Sequence, residues 1–300
     1  MSTGIVSVAL GLALCARLAR QPARVLTQAR SPAALSGVAA TAVLGTGALQ
    51  LGWTILGSLL LALAVIAWPA LTRLILGRLD RPADGQWFML TVATESVAGL
   101  AAELAIREQA GWLLDVALGL AAIGVLLYPL VLVRFDPRDL ASARGEHWVA
   151  GGSLAISALA FAQITLADRR LGTMHGAAGS FAGIAFVLWA MAMLWLGPLV
   201  IGELRWPRLH YHPHRWSTVF PLGMYAACSL SVAAAARTPL VGDFARRWIW
   251  IALVGWALTF TGMLTATIGR IRRRSDCLLP VRRPDRLIHD APPSSGQARR

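Results

Sequence analysis

Long apolar runs alternate with short, arginine-bearing links along this chain. The runs cover residues 3–19, 33–50, 52–77, 86–107, 111–134, 146–166, 176–203, 214–236 and 246–269. A charge-poor apolar stretch of about 18 or more residues predicts a transmembrane helix, because lipid leaves only helices and closed barrels to satisfy the backbone. The breaks carry turn and helix-stop signals: Arg20-Gln21-Pro22, Ser31-Pro32, Asp80-Arg81-Pro82, Asp136-Pro137-Arg138 and Trp206-Pro207-Arg208. The pattern predicts an all-α integral membrane protein. Residues 1–270 form a transmembrane helical bundle, and residues 271–300 form a basic, disordered cytoplasmic tail. Links alternate in length, so the helices pair as hairpins; those near Leu51 and Gln109 are the shortest.

A weak repeat runs through the spans. Those at 33–50, 86–107, 146–166 and 214–236 hold 42 Gly, Ala, Ser or Thr in 84 residues, against 38 in 102 for the spans that follow each. Small residues let helices approach closely or leave room for a path. The first set therefore reads as inner helices and the second as outer ones.

Charge sets the orientation. All 28 basic residues are Arg, for a net charge of +13. One side of the bundle holds 22 of them and the other six: Arg107, Arg169, Arg170, Arg237, Arg246 and Arg247. Positive-inside bias puts the richer side in the cytoplasm, with the C-terminus, in a multi-pass plasma (inner) membrane protein. Eight of twelve Trp lie near helix ends, as an interfacial belt requires. Because the arginines follow topology, the charge does not imply nucleic acid. Residues 1–19 lack the basic n-region of a signal peptide and read as a mature helix. Cys15, Cys228 and Cys277 have no metal or redox spacing. No phosphate loop and no nucleophile elbow is present.

Three segments carry a resemblance. They are His214-Arg215-Trp216-Ser217-Thr218-Val219-Phe220-Pro221-Leu222-Gly223-Met224-Tyr225, Glu146 through Ser157, and Thr91-Val92-Ala93-Thr94-Glu95-Ser96. Over roughly residues 20–270 the chain resembles the tellurite-resistance/C4-dicarboxylate transporter family, which includes the plant guard-cell slow anion channels. The resemblance implies ten helices as five hairpins around a central pore, odd helices inside and even ones outside, often in a homotrimer. Nine spans are read here, and only 3–19 remains for the family's first two. The stretch Met1 to Ser7 resembles the Gly-rich part of the family's first helix, which implies Gly4 for the path. A phenylalanine that plugs the family's pore matches Phe220, beside Pro221; the other reading of Phe220 is a core or lipid-facing ring at a structural kink.

Glu95 is the sharpest anomaly by position alone. It sits mid-span, with Thr91, Thr94 and Ser96 nearby, where a carboxylate costs about 2.5–3.5 kcal/mol on insertion scales. It is expected to be paired, neutral or facing water. Either it serves a path, proton-linked and with the hydroxyls of Thr91, Thr94, Ser153 and Ser157 lining it, or it fixes packing through a hydroxyl or His147. His210, His212 and His214 alternate in one loop, but their spacing and lack of a Cys or carboxylate partner within the stretch disfavour a metal. Arg73 is the nearest candidate to hold a dicarboxylate, toward the end of an outer helix.

The expected function is an anion permease, needing no cofactor, that conducts or carries small anions through a phenylalanine-gated pore. The alternatives are a proton-coupled carrier of a dicarboxylate or oxyanion, and a non-transporting membrane enzyme or assembly protein built on the histidine cluster. The expected partners are the small-anion permeant and membrane lipid.

Overall fold

The computed structural model describes residues 30–78, 83–138, 145–174, 176–205 and 211–278. The span read at 3–19, Gly4, His210 and residues 279–300 lie outside them. Among the described residues, eight helices are long and apolar enough to cross a membrane. They are α1 (Leu35–Gln50), α2 (Thr54–Leu76), α3 (Met89–Glu108), α4 (Gly111–Leu132), α5 (Trp148–Leu171), α6 (Ala178–Arg205), α7 (Trp216–Ala236) and α8 (Pro239–Leu278). One isolated bridge, Ala83 to Phe135, ties two links together; no sheet forms among the described residues.

The helices pair as hairpins, α1 with α2, α3 with α4, α5 with α6 and α7 with α8. The tightest turns are made by non-glycine residues in left-handed conformation. Gln109 (φ 52°) ends α3 and Arg237 (φ 52°) ends α7, each donating its backbone N–H to a carbonyl of the last turn. Such a cap satisfies an orphan carbonyl and reverses the chain within two residues.

Two boundaries correct the sequence reading. Helix α5 runs to Leu171, five residues beyond the expected end, because Arg169 and Arg170 occupy its last turn instead of the link. Cations there complement the negative end of the helix dipole. Helix α8 begins at Pro239 and runs to Leu278, so the first eight residues of the expected disordered tail are helical. Proline is favourable in a first turn, where its missing N–H has no intrahelical acceptor anyway. Asp243 and Arg246, one turn apart, are bridged at 2.7 Å on the exposed surface. The charges that seemed to delay the helix, Asp243, Arg246 and Arg247, are exposed in its first turns.

Burial separates the helices as their composition suggested. The spans containing α3 and α5 are 89% and 83% buried, and those containing α1 and α7 are 39% and 44% buried. The outer helices α2, α4, α6 and α8 are mostly uncovered; three of them carry a proline, at Pro69, Pro129 and Pro198. Along the interior, α1 packs on α3, α3 on α5 and α5 on α7. The inner helices thus form an arc with α1 and α7 at its two ends.

Candidate functional site

Each end of the arc leaves a face uncovered. On α7, Phe220, Gly223, Ala227, Leu230 and Ala234 are exposed or half-buried. Their spacing places them on one side of a helix. On α1 the corresponding set is Gly37, Ala40, Leu44 and Gly47. Both faces are neutral and built mainly from small residues.

Phe220 is 36% exposed on its stripe. Behind it, Pro221 is buried against α5. A Cβ built on Gly152 would lie 3.0 Å from the Pro221 ring, so this close approach depends on glycine. Pro221 also removes one backbone donor from the α7 ladder. One turn further on, the Tyr225 hydroxyl donates to the Ala192 carbonyl of α6 at 2.9 Å, fixing the rest of α7. The ring at Phe220 therefore projects from a braced helix into uncovered space.

The residues expected to line a path with it lie deeper. Glu95, Thr91, Thr94, Ser153 and Ser157 are all buried, at 1% exposure or less. Three of the hydroxyls bond to their own helices: Thr94 to Leu90, Ser153 to Ala150 and Ser157 to Ser153. Thr94 also accepts from the Trp68 indole of α2 at 2.8 Å. The Glu95 side chain points to the outer helix α4; a Cβ on Gly124 would sit 2.6 Å from its Oε1. Ser157 acts on this carboxyl, yet neither oxygen has a hydrogen bond of normal geometry.

Sequence reasoning missed a second polar cluster, at the Arg-rich ends of the inner helices. Glu146, 2% exposed, accepts from Gln86 Nε2 at 2.6 Å and meets His214 Nδ1 at 2.9 Å. His147, just before α5, is buried as well. Trp148, counted in the interfacial belt, is buried too, at 2% exposure. Of the three alternating histidines, His212 lies tilted against His214 with ring centroids 4.9 Å apart, while His214 reaches the acid. The available signal was Glu146 beside His147 at a helix start, but nothing local names a partner 68 residues away. Among the described residues, no group of three His, Cys, Asp or Glu side chains is placed to hold a metal. Arg73 is exposed on the outer helix α2. Glu203, by contrast, pairs with Arg215 at 2.7 Å.

Eight apolar spans, an inner arc of small-residue helices and neutral open faces define a multi-pass membrane transport protein. The family model for the voltage-dependent anion channel, SLAC1, matches residues 1–264. The chain belongs to that family, and so stands among anion transport proteins and not among enzymes. Two curated relatives are similar to it: the uncharacterized membrane proteins MT1776 and Rv1735c of Mycobacterium tuberculosis, strains CDC 1551 / Oshkosh and ATCC 25618 / H37Rv. Each is 37% identical over 176 residues, covering 55% of this chain and 84% of the relative. No solved structure matches the chain.

Proposed function

We propose that the chain is a passive permease for small monovalent anions, gated by Phe220. The path runs along the uncovered faces of α1 and α7. The observation that carries this reading is Phe220 itself: a large ring, half-uncovered on a stripe of small residues, backed by a proline seated on Gly152. Such a ring blocks a narrow path in one rotamer and clears it in another. Neither stripe carries a fixed charge. Anions are then held by backbone dipoles, and selection follows pore width and dehydration cost. The absence of an arginine from both stripes disfavours a dicarboxylate as cargo.

In this reading Glu95, Thr91, Thr94, Ser153 and Ser157 form the wall behind the path. Glu95 is enclosed there and sets the spacing of α3, α4 and α5. The arginine-rich side faces the cytoplasm.

The test is anion flux in proteoliposomes, with chloride, nitrate and malate compared at two pH values. Phe220→Ala is expected to raise chloride and nitrate flux severalfold over wild type, with malate little changed. A folded, inserted variant whose flux does not rise removes Phe220 from the gate.

A further inference from the structure

A cavity of about 480 Å³ opens on the opposite side of α7, between α6, α7 and α8 and the start of α5. Its two ends differ in chemistry. At the Arg-rich end stand the Arg215–Glu203 ion pair, Tyr211 and the Trp148 indole. The rest of its wall is apolar, including Val200, Leu222, Ile251 and Leu258. The cavity is bounded along α8 by Trp248 at one end and Gly262 at the other. That separation is about 21 Å at the usual helical rise, enough for the hydrocarbon depth of one leaflet, about 15 Å. Because the α8 span is only 6% buried, the groove adjoins the lipid-facing surface.

One observation asks for a ligand. Trp148 is 2% exposed, lines the cavity, and its Nε1–H has no hydrogen-bond acceptor. A buried indole donor ordinarily finds an acceptor, and leaving it unpaired is costly. We infer that the groove holds one phospholipid of the Arg-rich leaflet. Its acyl chain lies along α8, and its ester and phosphate oxygens accept from Trp148 Nε1 and Arg215. The ligand needs an acceptor beside an apolar tail: a free anion would leave the apolar wall wet, and a plain hydrocarbon would leave the indole unpaired. The Arg215–Glu203 pair offers both signs at the mouth, matching a phosphate followed by an ammonium, as in phosphoethanolamine.

The experiment uses the full chain extracted from membranes in mild detergent, with retained phospholipid counted by native mass spectrometry. Wild type is expected to hold one phosphatidylethanolamine per chain through detergent washing. Trp148→Phe removes the donor and is expected to weaken retention about two- to tenfold, the worth of one hydrogen bond. Thr259→Trp fills the groove and is expected to abolish retention. If Thr259→Trp does not fold, Trp148→Phe still decides the matter. Wild type without lipid, or equal retention in wild type and a folded variant, would overturn the site. Displacement of the lipid by millimolar inorganic phosphate would also overturn it, in favour of a soluble anion. The measurement reads lipid alone, so its failure leaves the Phe220 gate untouched.

Discussion

Glu95 stands out in the sequence by its position and Phe220 by the family resemblance, and the structure gives them opposite surroundings. Phe220 projects outward from α7, whereas Glu95 is enclosed between α3, α4 and α5. Glu95→Gln keeps the shape of this enclosed side chain, which stands in the wall and not on the path. It is therefore expected to fold normally and to leave the pH profile of anion flux unchanged. A flattened profile would restore the proton-linked reading of this residue. Gly124→Leu, directly opposite, forces extra carbons against the Glu95 side chain. Overpacking of this kind costs about 1–3 kcal/mol, to be read as a lower unfolding temperature in detergent. Glu95 was legible as an anomaly because an acid in mid-span stands out against apolar neighbours. Its neighbour Gly124 was not, because one glycine among several gives no sign of what approaches it.

The inner helices are held together by two contacts near their Arg-rich ends. Just over one turn into α5 and α7 the Gly152–Pro221 contact seats α7 on α5, and at the Arg-rich end Glu146 links Gln86 to His214. Glu146→Ala removes both bonds at a buried position. Hydrogen bonds to charged groups are worth about 1.5–3 kcal/mol, so thermal unfolding is expected to move down measurably. Glu146→Gln, which can still accept from Gln86, is expected to lose less. The hairpin order was legible in the sequence from the short links and alternating small-residue content. The extents of α5 and α8 were not. Arginines and an aspartate within the last and first turns look like loop when read along the chain, although a helix can project them into solvent.

Across the whole molecule, the arginine asymmetry predicts which side faces the cytoplasm. In a variant with Cys15, Cys228 and Cys277 replaced by Ser, a cysteine at Gln109 is expected to react with an impermeant maleimide in intact cells. A cysteine at Arg138 is expected to react only after permeabilisation; the reverse pattern would invert the topology. Hydrophobic length, turn residues and charge bias are local properties of the chain, and lipid imposes a single solution on them. That is why the sequence by itself determined the membrane class, the hairpins and the division into inner and outer helices. Which polar groups face a path is a property of pairs of helices. A rotation of one helix by a single residue, about 100°, turns a hydroxyl from the path into the wall. Only the tertiary structure could therefore place Thr94, Ser153 and Ser157 in the interior, leave Phe220 uncovered, join Glu146 to His214, and open a groove beside an unpaired Trp148.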